Sequence, residues 1–222
     1  MAAVSGRMTL FAIPGSAAMA PHAVLEEIGQ PYDLVMVERR DDGSVLPAGF
    51  AELSPHGRVP VLQDGDLVLH ESAAIVLHLA DNFPDAGLMP PLGTDERSHA
   101  YRYLTYLTNS VQAMFMLYLY PWRLADAPGA PEAIRAGAAR DLNTMFDYLE
   151  RALAGRPYLL GEQLTAPDLY LFMVTRWGRN LPRQAWSLPN LGGHYGRLAE
   201  RDGVRRMLDR QSIEAYGPPV LD

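Results

Sequence analysis

The stretch GRVPVLQDGDLVLHESAAIVLHLAD, residues 57–81, decides the fold. Val59-Pro60 stands ahead of two short β-type runs, and an X-Pro bond in a tight turn is where a cis peptide costs little. Proline has no N–H, so the backbone of Val59 can face a ligand rather than a neighbouring strand. Val61–Gln63 and Asp66–Leu69 flank Asp64-Gly65, a dipeptide that suits a tight hairpin. Glu71-Ser72 then lead into Ala73, Ala74, Ile75, Val76, Leu77 and Leu79, a helical run. Ser72 is placed to cap it, and free N–H groups at a helix start attract a carboxylate. A backbone edge, an acidic side chain and an anion-binding helix end thus fall close together in sequence.

That combination resembles the glutathione-binding half of the glutathione transferases, where a cis-proline follows a valine and a Glu/Gln-Ser pair opens the third helix. The resemblance implies that the Val59 backbone, beside Pro60, pairs with the cysteinyl part of glutathione. It implies that Glu71 and Ser72 take the amino and carboxylate groups of the γ-glutamyl end.

Working outward, Met8–Ile13 reads as a buried strand ending at Pro14-Gly15. A helical pattern over Ala18–Ile28 stops at Gly29, with Pro21 admissible only in its first turn. Tyr32–Val37 is a second strand, and residues 41–55, crowded with Gly and Pro, leave a short helix undecided. The element order matches a thioredoxin-like α/β domain over residues 8–82. Residues 82–95, NFPDAGLMPPLGTD, read as a linker. Beyond it the periods are helical, roughly over 95–120, 131–154, 165–180, 189–201 and 203–211, giving an all-helical domain over 95–212. Thr165-Ala166-Pro167-Asp168 is a capping box with proline at the second helical position. Glutathione transferases carry a similar box in their helical domain, so the resemblance spans about residues 8 to 212.

Composition narrows the chemistry. The chain has 222 residues and a net charge of −7, which argues against nucleic-acid or anionic-membrane partners. All 19 basic residues are arginine, which excludes lysine Schiff-base chemistry. Cysteine is absent, which excludes disulfides and a thiol nucleophile on the protein. The start, MAAVSGRM, lacks an apolar signal core, and Tyr101–Trp122 is broken by Arg102, Asn109 and Gln112. A cytoplasmic protein is expected. The histidines show no metal-ligand spacing, so no metal is expected.

The segment FAIPGSAAMAPHAVLEEIG resembles the bacterial beta-class pattern, with Pro14-Gly15 and Pro21-His22 in place. The cysteine of that pattern falls on Ala17, its following serine on Ala18, and the tyrosine of other classes on Ala12. Ser16 is the remaining nearby hydroxyl and the candidate donor to a glutathione thiolate, alongside the backbone N–H groups of Ala17 and Ala18. The alternative is that Ser16 only caps the turn. For the glycyl carboxylate of glutathione the candidate cations are Arg39, Arg40, His56 and Arg58. Tyr103, Tyr106, Met114, Tyr118 and Trp177 are candidates to line an apolar pocket for the second substrate, against the plainer role of core. The beta-class Glu-x-His corresponds to Ser110 and Gln112. The arginines between Arg197 and Arg210 read as a solvated helix face.

The resemblance implies a transferase that conjugates glutathione to a small apolar electrophile, working as a homodimer. Two alternatives share the fold: a glutathione-dependent isomerase, ether-cleaving enzyme or dehalogenase, and a non-catalytic glutathione binder.

Overall fold

The computed structural model describes residues 7–39 and 45–215, with the side chains of residues 39, 45 and 46 excepted. Arg40 and Asp41-Asp42-Gly43 lie outside the described residues, as does the side chain of Arg39.

The chain divides into two compact units, one reaching to Leu88 together with Arg201–Glu214 and the other centred on Met89–Glu200. In the first, β1 (Met8–Ala12), α1 (Met19–Ile28) and β2 (Tyr32–Met36) form a βαβ unit with its two strands parallel. A two-residue pair follows, β3 (Glu38–Arg39) with β4 (Val45–Leu46), and then α2 (Phe50–Leu53). The undecided helix before residue 55 therefore exists, as a single turn. The hairpin β5 (Val61–Asp64) and β6 (Leu67–Leu69) leads into α3 (Ser72–Asn82). Strand order is β2-β1-β5-β6, with β1 parallel to β2 and antiparallel to β5. This is the thioredoxin-like arrangement expected.

Two local readings need correcting. Asp64 pairs with Leu67, so the hairpin loop is Gly65-Asp66 rather than Asp64-Gly65. Gly65 takes φ +59 there, and glycine adopts that left-handed conformation without a Cβ penalty. Ser72 is the first residue of α3 rather than its cap. The cap is Glu71, whose carbonyl accepts from the Ile75 N–H at 3.0 Å.

Pro21 falls in the first turn of α1, and Gly29 ends that helix in the left-handed conformation at φ +74. Phe11, Val37, Phe50 and Val61 form a buried cluster on which Ile13, Val35, Leu53, Val59 and Val68 pack. Phe50 thus anchors α2 to the sheet, its ring 5.6 Å from that of Phe11.

The second unit holds α4 (Asp95–Tyr106), continued through a π-helical stretch at Leu107–Gln112 into α5 (Ala113–Leu119). It also holds α6 (Ala130–Ala152), α7 (Ala166–Trp177) and α8 (Pro189–Ala199). Helix α7 is buried along its whole length. Its capping box is formed: Asp168 accepts from the Thr165 N–H at 2.9 Å and the Thr165 hydroxyl at 2.7 Å. The same carboxylate takes the Leu159 N–H and faces His194, so one buried acid satisfies a helix start and a preceding turn together. The last helix, α9 (Asp202–Arg210), packs on α1 and belongs to the first unit.

Candidate glutathione site

Strand register brings the segments carrying Val59-Pro60 and Glu71-Ser72 to one end of the sheet. Leu62 faces Leu69, so continuing the antiparallel hairpin sets Pro60 opposite Glu71. Phe11 faces Val61, so the end of β1 and the turn after it run to the same end. Three chain segments leave or enter the sheet there: residues 13–18, Val59-Pro60 and Glu71-Ser72.

The Val59-Pro60 bond is cis. The Val59 side chain packs on the buried cluster, while its backbone N–H and C=O have no hydrogen-bond partner among the described residues. An apolar anchor therefore presents an unpaired backbone edge, and such an edge is the natural partner of an extended peptide. The approach to Val59 is fixed by Ser54, which is 3% exposed. Its hydroxyl accepts from the Arg58 N–H at 2.9 Å and donates to the Arg58 carbonyl at 2.8 Å. Across from it the His70 ring nitrogen Nε2 hydrogen-bonds the Leu53 carbonyl, joining the end of β6 to the end of α2. Sequence reasoning missed both residues. The signal available for Ser54 was a small hydroxyl side chain directly after a helical turn, in a position to bond the backbone beyond it.

Glu71 is exposed and sits at φ +66, a conformation that costs a non-glycine residue about 1–3 kcal/mol. Such strain persists where the surrounding structure holds it, and here it sets a carboxylate beside the first turn of α3. Ser72 is buried. Arg58 and His56 are exposed and form no ion pair among the described residues.

Ser16 donates to the Ile13 carbonyl at 2.6 Å and accepts from the Ala18 N–H at 3.2 Å. Its hydroxyl thus closes the turn into α1, and the Ala18 N–H is engaged with it. Ala12 and Ala18 are fully buried.

The candidate second-substrate residues lie in the other unit and divide there. Phe115 joins Tyr118 and Trp177, whose rings stand 6.5 Å and 5.7 Å from it. Trp177 is 6% exposed and makes part of the aromatic core with Phe146. Met114 is half-buried, and the Tyr118 hydroxyl donates to the Asn180 carbonyl at 2.7 Å. Tyr106 packs instead against Tyr148, with ring centres 5.0 Å apart, and Tyr103 is buried. Gln112, at the end of the π-helical stretch, accepts from the Tyr170 hydroxyl. Among the described residues no cluster suited to a metal ion is present, and no helix is long and apolar enough to cross a membrane.

Comparison with known proteins decides the family to which the chain belongs. Residues 6–81 match the glutathione S-transferase N-terminal domain, and residues 111–202 match the C-terminal domain. The chain belongs to the glutathione S-transferase family. It is 29% identical over 209 residues to glutathione S-transferase GstA of Escherichia coli O157:H7, covering 93% of this chain and 100% of that protein. Among solved structures it is similar to BphK, a bacterial glutathione S-transferase in a ternary complex. That likeness has a TM-score of 0.80 and 30% identity, over 92% of this chain and 100% of BphK. It is also similar to a sphingomonad glutathione S-transferase complexed with glutathione, with a TM-score of 0.79 and 28% identity over 93% and 100% of the two chains. The protein is thus a glutathione S-transferase enzyme, and glutathione is the co-substrate of that activity.

Proposed function

We propose that this transferase conjugates glutathione to a small apolar electrophile through a bound thiolate. The observation that supports it best is the presence, at one end of the sheet, of the unpaired Val59 backbone and of Glu71, held at φ +66 at the start of α3. The Val59 edge pairs with the cysteinyl residue. Glu71 accepts the γ-glutamyl ammonium, and Ser72 with the first N–H groups of α3 receives the carboxylate. Arg58, with His56 nearby in sequence, supplies positive charge for the glycyl carboxylate.

The thiol end lies toward residues 13–18. The Ser16 proton is committed to Ile13, so donation to sulfur requires that hydroxyl to rotate. The Ala17 N–H has no partner among the described residues and is the readier donor. Stabilising the anion over the thiol lowers its pKa. The thiolate sulfur then forms a bond to the electrophilic carbon, and the displaced group or carbanion takes the electron pair. Of the candidate apolar residues, the half-buried Met114 and Tyr118 are the ones proposed for that electrophile. The enzyme works in the cytoplasm as a homodimer, clearing reactive electrophiles.

A second reading, a glutathione binder without chemistry, rests on alanine at positions 12, 17 and 18. Thiolate absorbance of the glutathione complex against pH, with turnover of an activated aromatic halide, separates the two. A thiol pKa below its value in free glutathione, together with turnover, supports the transferase. Bound glutathione with an unshifted thiol and no turnover supports the binder.

A further inference from the structure

Helix α9 is joined to α1 by a row of charged contacts. Arg201 makes a bidentate pair with Glu27, at 2.9 and 2.7 Å. Arg206 donates to the Glu26 carboxylate and to the Glu26 carbonyl, both at 2.7 Å. Arg210 donates to the same carboxylate at 2.9 Å, which also accepts the Tyr32 hydroxyl. The approach is close enough that a Cβ on Gly203 would lie 2.6 Å from Glu27. These arginines are therefore a clamp: the face expected to be solvated does stay partly exposed at Arg201, Arg206 and Arg210, but it also carries ion pairs to α1.

The row ends at Gln211, which is 1% exposed. Its side-chain carbonyl accepts from the Gly15 N–H at 3.0 Å, across 196 positions of sequence. Its amide nitrogen donates to Nδ1 of His22 at 2.9 Å. With Nδ1 accepting, the proton of the buried, neutral His22 ring sits on Nε2, which faces Glu26 at 3.7 Å. Gln211 thus engages both its side-chain oxygen and its side-chain nitrogen.

The turn around Ser16 is shaped by short-range bonds: Ser16 N–H and hydroxyl to Ile13, Ala18 N–H to Ser16, and Met19 N–H to Ser16. Bonds of that range define the shape of the turn but move with it. The bond from Gly15 to Gln211 ties the turn to a distant element. Backbone N–H groups lower a thiol pKa only when they are held where the charge resides. With alanine at positions 12, 17 and 18, no side chain there can compensate for a displaced backbone.

We infer that Gln211 is a positioning residue for the thiol end of glutathione, acting through Gly15. This rests on the functional reading above. The test compares wild type with Gln211→Met, which keeps length and removes both hydrogen bonds, and Gln211→Glu, which keeps an acceptor for Gly15. Amide hydrogen exchange over residues 15–18 reports the position of the turn. Calorimetry reports glutathione affinity, and thiolate absorbance reports the bound thiol.

In Gln211→Met the segment exchanges at least about tenfold faster, and the bound-thiol ionisation constant falls about tenfold, equivalent to one pKa unit. Turnover at neutral pH falls by a similar factor, while glutathione affinity stays within about twofold because Val59, Glu71 and Ser72 are untouched. Gln211→Glu recovers most of each loss. Unchanged thiol ionisation in Gln211→Met, whatever its melting temperature, overturns the inference, as does a Glu variant no better than Met. Failure of the wild type to bind glutathione overturns the functional reading itself, a result visible in calorimetry before any variant is compared.

Discussion

Ser54 and Arg58 close a ring of two hydrogen bonds, the serine hydroxyl taking the Arg58 N–H and giving its proton to the Arg58 carbonyl. The ring holds the residue immediately before Val59, so it fixes the backbone edge on which the peptide part of glutathione is proposed to lie. The serine is buried and both bonds are part-buried, so water replaces a lost partner only in part.

Ser54→Ala removes both bonds and leaves the Arg58 backbone groups to find new partners. The expected cost is about 1–3 kcal/mol in folding stability. Glutathione affinity falls as well, because the Val59 edge loses its support. Denaturant titration and calorimetry on the same variant check the two effects. A variant with wild-type affinity and reduced stability would confine Ser54 to a role in folding.

Glu26 is the centre of the clamp between α1 and α9. Burial by itself raises its pKa, but hydrogen bonds from Tyr32, Arg206 and Arg210 outweigh that and hold the carboxyl below its usual range. Glu26→Ala is expected to cost about 2–3 kcal/mol, since three donors lose one acceptor. Arg206→Ala is expected to cost no more than about 1 kcal/mol, because that side chain is half exposed and the carboxylate keeps two partners. Denaturation of the two variants side by side tests the asymmetry.

Acid should weaken the same region. Burial holds the His22 pKa down to about 4, although Glu26 pulls the other way. In the unfolded chain His22 titrates near 6.5, so below that pH the unfolded state binds more protons than the folded state. Stability is therefore retained above about pH 6.5 and declines toward pH 4, by on the order of 3 kcal/mol from this residue. Glu26, with its lowered pKa, adds a further loss at lower pH. Denaturation midpoints across pH 4–7 should show the decline, and His22→Gln should flatten it.

Assembly gives a fourth expectation. Light scattering at micromolar concentration should return twice the 24.5 kDa mass of one chain. A monomer would remove the homodimer from the proposal.

How much of this was legible in the sequence depended on the range of each interaction. The hairpin, α3, the Gly29 stop and the Thr165–Asp168 capping box were readable because each is written within a few residues. Even there the hairpin loop moved by one position, since a dipeptide marks a turn without fixing which residue starts it. Glu71 was recognised as an acid at a helix start, but its positive φ comes from the hairpin and α3 meeting at that residue. The role of Arg206 was not readable, because its partner lies 180 positions away and an amphipathic helix shows the same charge pattern against water as against an acidic neighbour. Gln211 was invisible for the same reason. A lone glutamine announces nothing until folding brings a backbone N–H and an imidazole to its two ends.

The central claim is that glutathione binds with its γ-glutamyl end at Glu71 and Ser72, and titration calorimetry of Glu71→Ala with glutathione tests it most directly. A charge-assisted bond to the substrate ammonium contributes about 1.5–3 kcal/mol. The account predicts affinity weakened by about 10–100-fold in a variant that remains folded. Unchanged affinity in the folded variant would contradict it.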